Sequence, residues 1–145
     1  MGDEKSRDLR ERTKAFASRM IRLYAALPKT PEAQVIGPQL LRSGTSVGTN
    51  YREAGRARSP AEFAAKLGIT LQEADETAYW LELLTEAKMV PQAPVADLMQ
   101  EAHELIAIFV TSLETAKNGR SQNCSDFCLL TSELGRGDFE GQKPH

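Results

Sequence analysis

Residues 39–84 read QLLRSGTSVGTNYREAGRARSPAEFAAKLGITLQEADETAYWLELL, and the fold of the whole chain turns on how the first third of that stretch is taken. By propensity, Gly44-Thr45-Ser46-Val47-Gly48-Thr49 is a loop, because glycine and β-branched or hydroxyl residues form helices poorly. By period it is a helix: Val35, Ile36, Leu40, Ser43, Val47, Tyr51 and Ala54 place apolar or small side chains at steps of three and four. Each internal glycine costs about 1 kcal/mol relative to alanine. The helical reading therefore requires a tertiary contact to offset that loss, and Gly44, Ser46, Gly48 and Thr49 are thin enough to let a neighbouring helix come close. A phosphate-binding loop is the competing reading. It lacks the Gly-x-x-x-x-Gly-Lys-[Ser/Thr] pattern and any strand before it. Gly37-Pro38 predicts a kink or break near the start of this segment.

Working outward, the same period recurs on both sides. Thr30-Pro31-Glu32 supplies an N-cap and a first-turn proline, and Gly55 with Arg56 and Arg58 supplies a stop. Ser59-Pro60-Ala61-Glu62 has the spacing of a capping box, and Phe63, Leu67, Thr70, Ala74, Thr77, Leu81 and Leu84 come after it at fours and threes. Upstream, Leu9, Thr13, Phe16, Met20, Leu23 and Leu27 form one helix face; downstream, Val95, Leu98, Ala102, Leu105, Phe109, Leu113 and Ala116 form another. The pattern predicts helices over about 6–27, 31–56, 60–88 and 94–117. Short connections marked by proline or glycine then make an all-α, antiparallel up-down four-helix bundle over residues 1–119. Residues 120–145 turn polar and glycine-rich, which predicts a flexible, mostly disordered C-terminal tail, with Phe127-Cys128-Leu129-Leu130 as its one apolar cluster and room for a short docked turn.

Composition limits what this bundle does. A chain of 145 residues, 41% apolar, builds one core. Its longest apolar runs fall far below the ~20 residues of a membrane span, and its first residues are charged where a secretion signal is apolar, so a cytoplasmic protein without a membrane partner is expected. Cys124 and Cys128 are the two cysteines, too few for a disulfide framework or a four-ligand zinc site. The net charge of −2 is unevenly spread: residues 1–69 carry thirteen Lys and Arg against seven Asp and Glu, whereas residues 70–145 carry five against thirteen. Opposite halves of this kind favour pairing between early and late helices, within one subunit or across a subunit boundary.

No catalytic set can be drawn. A di-iron bundle needs Glu-x-x-His pairs on two helices, and neither His103 nor His145 has a glutamate three residues before it. Glu73 and Glu76 lie one turn apart and would be the ligands or acid–base pair of a metal-dependent enzyme. The stronger reading makes them ion-pair partners of Arg42, Arg52 or Lys66, because buried charge is rarely left unpaired. The chain is accordingly expected to be non-enzymatic, with no metal and no cofactor. Arginines suggest a different use: Arg10, Arg12 and Lys14 early in the chain and Arg52, Arg56 and Arg58 around the second connection could track a phosphate backbone or an acidic partner. Against nucleic acid stand the sequence pI of about 5.7 and the interspersed Asp8, Glu11, Glu53 and Glu62.

The runs Gln39-Leu40-Leu41-Arg42-Ser43, Ser46-Val47-Gly48-Thr49-Asn50-Tyr51-Arg52-Glu53-Ala54 and Trp80-Leu81-Glu82-Leu83-Leu84, with Ser59, Glu62-Phe63, Lys66-Leu67, Glu73 and Glu76-Thr77 between them, closely resemble the bacterial four-helix-bundle family named after proteins encoded in 23S ribosomal RNA intervening sequences. The resemblance spans about residues 8–117. It implies a homopentameric ring of bundles, no established enzymatic activity, and a recurring polar set falling on Arg42, Ser46, Asn50, Glu53, Lys66, Glu73 and Glu76, expected to be structural. It also suggests similarity to the accessory protein of diversity-generating retroelements, a basic pentameric bundle that binds a reverse transcriptase and nucleic acid. The present chain is acidic overall and lacks that charge. The resemblance thus implies a pentameric scaffold for a protein or structured RNA partner, the alternative being an RNA-binding module on the basic surface of the first two helices.

Overall fold

The structure, a computed structural model, describes residues 2–118, with side chains from Arg7 onward. The predicted tail, with Cys124 and Cys128, lies outside the described residues. Four helices succeed one another: α1 (Gly2–Ala26), α2 (Pro31–Gly55), α3 (Pro60–Glu86) and α4 (Gln92–Lys117). Contacts between neighbours run in opposite directions along the chain, Thr13 with Gly48 but Leu27 with Gly37, and Glu53 with Lys66 but Arg42 with Glu73, an order compatible with antiparallel neighbours for α1 with α2 and for α2 with α3. Each of α1, α2 and α3 packs along its successor, whereas α1 meets α4 only over a short length.

Local chemistry sets the helix ends. Thr30 Oγ1 accepts the Ala33 amide at 3.3 Å, ahead of Pro31 at the first helical position. Ser59 Oγ accepts the Glu62 amide at 3.1 Å, and the Glu62 carboxylate accepts from the Arg58 amide at 3.1 Å. Helix α2 ends with Gly55 as its last helical residue and Arg56 as its cap. Helix α3 stops at Glu86: the Met89 amide reaches back to the Leu84 carbonyl at 3.0 Å and the Lys88 amide to Thr85 at 3.0 Å, a Schellman closure that sets Lys88 at φ 58° where glycine is usual.

Gly37-Pro38 neither breaks nor ends α2, which runs through it. Proline removes one amide and frees the Gln34 carbonyl, but Gln34 and Pro38 both face solvent, where water satisfies the carbonyl. Gly37 itself is buried against α1: a Cβ there would lie 3.0 Å from Leu27 Cδ1 and Tyr24 Cε1. The close seam of α2 is therefore Gly37, Gly44 and Gly48 against α1. At Gly44 a Cβ would come within 2.5 Å of Met20 Cγ, and at Gly48 within 3.5 Å of the Thr13 carbonyl oxygen. Ser46 is only half-buried and Thr49 is exposed, so these two lie off the seam that the sequence pattern assigned them to. The core between the helices is closed by Leu9, Phe16, Met20, Leu40, Tyr51, Phe63, Leu67, Leu81, Leu84, Leu105 and Phe109.

Candidate functional site

The face shared by α2 and α3 gathers the polar set. At one end the Arg42 guanidinium spans two carboxylates, holding Glu73 Oε2 at 3.1 Å through one terminal nitrogen and Glu76 Oε2 through the other. At the other end Lys66 Nζ sits 3.3 Å from Glu53 Oε2. Glu73 and Glu76 are one turn apart on α3, which is why a single planar guanidinium reaches both. Between the two ion pairs the remaining members bond to their own helix: Ser46 Oγ donates to the Arg42 carbonyl at 2.7 Å and Asn50 Nδ2 to the Ser46 carbonyl at 2.9 Å. Both carboxylates of the supposed metal or acid–base pair thus face Arg42. Among the described residues no group of three or more His, Cys, Asp or Glu is placed to hold a metal. Arg42 is half exposed, so its pairs are screened and contribute at the low end of the ~0–1 kcal/mol typical of surface bridges.

Beneath this face lies a contact that the polar pattern gave no hint of. Thr77 and Ser43, both fully buried, meet across α2 and α3 with their hydroxyl oxygens 2.9 Å apart. Thr77 also lies 2.7 Å from the Glu73 carbonyl and Ser43 lies 3.3 Å from that of Leu40. With one proton per hydroxyl, one of the two back-bonds to its helix while the other bridges the helices. The signal available in the sequence was that both occupy core positions of their heptads although both are polar.

The arginines and lysine expected as partner contacts differ in their surroundings. Arg12 is ion-paired: its Nε donates to Glu101 Oε2 at 3.2 Å and a terminal nitrogen to Oε1 at 2.6 Å, with Glu104 at 3.3 Å, so it clasps α1 to α4. The hydrogen bonds that Arg12 donates to Glu101 raise its pKa above the ordinary value, more than partial burial lowers it, and the charges of Glu101, Glu104 and Asp8 act in the same direction as the bonds. The others, Arg10, Lys14, Arg52, Arg56 and Arg58, are exposed. Because Thr13 lies beside Gly48, the beginning of α1 and the end of α2 share one end of the bundle, and these side chains collect there together with Arg7.

A four-helix, all-α protein with an ion-paired α2–α3 face and a basic end is the class that these features define. The chain belongs to the 23S rRNA-intervening sequence protein family, whose family model matches residues 5–111. A solved structure from Bacteroides thetaiotaomicron, of a protein with unknown function from the S23 ribosomal protein family, is 36% identical. The match covers 77% of this chain and 99% of that one, with a TM-score of 0.70. No curated protein matches the sequence. Among the described residues no helix is long and apolar enough to cross a membrane.

Proposed function

We propose that the chain is a non-enzymatic helical scaffold which assembles as a homopentamer and engages a protein or RNA partner through the basic end of each bundle. The observation that carries this reading is the gathering of Arg7, Arg10, Lys14, Arg52, Arg56 and Arg58 at one end while Asp75, Glu82, Glu86 and Asp97 of α3 and α4 stay exposed elsewhere. A surface polarised in this way suits a head-to-tail contact that closes into a ring. Large apolar side chains left in solvent support an assembled state as well: Val35 is 70% exposed, Tyr79 54% and Ile21 53%. The name of the family makes structured ribosomal RNA the first partner to try.

Light scattering coupled to size exclusion tests the assembly, and a clean monomer at micromolar concentration would exclude it. Electrophoretic shifts with structured ribosomal RNA fragments over a salt series test the partner. Binding through the basic end gives an affinity that falls steeply with salt, the slope tracking the number of phosphates neutralised, and charge reversal of Arg52, Arg56 and Arg58 should remove most of that slope. No shift at low salt would dismiss RNA and leave a protein partner.

A further inference from the structure

Among the described residues the large apolar side chains left exposed are Ile21, Tyr24, Val35, Ile69 and Tyr79, all of them on α1, α2 and α3. They sort onto two faces that adjoin at α2. On the α1–α2 face Tyr24 lies against Gly37, and Ile21 stands one turn before it. At about 3.6 residues per turn Ile21 shares its line along α1 with Lys14 and Arg10, both exposed. Asp8 acts on Arg12, on the flank toward α4, and Glu11 stands roughly a quarter turn off the line. On the α2–α3 face the Glu53–Lys66 and Arg42–Glu73 pairs follow one another, with Ile69 between them. Two turns beyond the second pair on each helix come Val35 and Trp80, with Tyr79 edge-on to Trp80 at 5.2 Å between ring centres. This face is acidic in sum: Glu53, Glu62, Glu73 and Glu76 stand against Arg42 and Lys66, and Glu32 lies beyond Val35.

Resting on the assembled state put forward above, we propose that these faces are the two halves of one contact between copies, the α1–α2 face of one chain against the α2–α3 face of the next. A rotation about an axis along the bundle keeps neighbouring copies parallel, so the order of groups along one face meets the order along the other. From the basic end, the first face runs Arg10, Lys14, Ile21 and Tyr24, and the second runs Glu53, Glu73, Val35 and Trp80. Cations meet carboxylates at one end, and apolar side chains meet apolar side chains at the other. Inverting one copy would set Arg10 and Lys14 against Val35 and Trp80, so the charges fix the direction. Because the two faces differ, the contact is head to tail. Faces that adjoin at one helix stand roughly at a right angle, and copies joined by them close into a ring of about four to six members. Helix α2 then lines the axis, while α4, with no large apolar side chain exposed, stays outside. Arg56 and Arg58 take no part in the contact and remain open to a partner.

Two full-length variants, Ile21→Glu and Val35→Glu, each spoil one face at an exposed side chain, and circular dichroism should report native helix content for both. Light scattering coupled to size exclusion at micromolar concentration should then show a ring for the native chain and the mass of one chain for each variant. Mixed in equal amounts, the variants should give the mass of two chains and nothing larger. Only the α1–α2 face of the Val35→Glu chain and the α2–α3 face of the Ile21→Glu chain remain intact in that mixture, and they form a single contact. Tyr79→Glu repeats the test of the α2–α3 side if Val35→Glu loses helix. A ring that persists in either variant would overturn the proposal and leave the assembly reading standing. A mixture that stays at the mass of one chain would overturn it as well. Dimers formed by one variant alone would do the same, because like faces would then be pairing. A native chain that is itself a monomer removes the assembly reading, and this contact with it.

Discussion

Gly44 in α2 and Gly68 in α3 both stand well inside long helices, yet a Cβ on the first would lie 2.5 Å from Met20 Cγ whereas a Cβ on the second would meet nothing within 4 Å. The same residue type thus marks a filled seam on one side of the bundle and an open one on the other. Along α1 and α2 the glycines are explained by what presses on them, because Met20 is fully buried only if Gly44 lacks a side chain. Along α3 and α4 the cost of the glycine is present and its reason is not among the described residues. A small residue at helical spacing thus encodes close approach without naming the body that approaches.

The largest effect is expected where the seam is full. Gly44→Leu should cost about 3 kcal/mol or more by forcing Met20 from its site, read as a lower urea midpoint with an unchanged slope. Gly44→Ala already places an atom against Met20 Cγ and should also destabilise, although alanine is the better helix former. Gly48→Ala should be near neutral, since its Cβ would sit at ordinary contact distances of 3.4 to 3.6 Å from Thr13, while Gly48→Leu extends into the α1 backbone and should disrupt packing. Equal tolerance of leucine at positions 44 and 48 would break the close-approach account.

Smaller losses are expected where polar side chains hold the filled side. Thr77→Val keeps the shape and removes the hydroxyl facing Ser43, at a cost of about 1 kcal/mol. Arg12→Met, which opens the partly buried clasp on Glu101, should cost about as much, whereas Arg42→Met on the half-exposed face should cost ~0.5 kcal/mol or less. The raised Arg12 pKa sets the sign of the pH dependence. A cation whose pKa is higher in the folded state contributes fully below its unfolded value and fades only as pH rises through the folded one. The cost of Arg12→Met should therefore be flat between about pH 6 and 10.

How much of this was legible in the sequence depends on the same division between filled and open space. The fold class and the four helices could be read because the period of three and four survives every unfavourable residue between Gly37 and Thr49. The charged residues of the α2–α3 face were legible as complementary signs at reachable spacings, although the choice of Arg42 for both Glu73 and Glu76 depends on a helix crossing that spacing alone leaves open. At Gly37-Pro38 the absence of a break could not be read, because the exposure of Gln34, which lets water take the freed carbonyl, is a tertiary fact. The pairing of Arg12 was hidden for a like reason: its partners Glu101 and Glu104 lie on the last helix, and nothing in the local sequence sets it apart from Arg10 or Lys14. The Ser43–Thr77 contact was hidden because hydroxyl residues at core positions look the same whether they bridge two helices or merely bond back to one.

The smallest effect is expected on the open seam. Gly68→Ala should stabilise by about 0.5–1 kcal/mol, read as a higher urea midpoint with an unchanged slope, because alanine improves the helix and its methyl enters open space. A loss of stability on Gly68→Ala would show that the seam is not open, and the contrast between Gly44 and Gly68 would then fail.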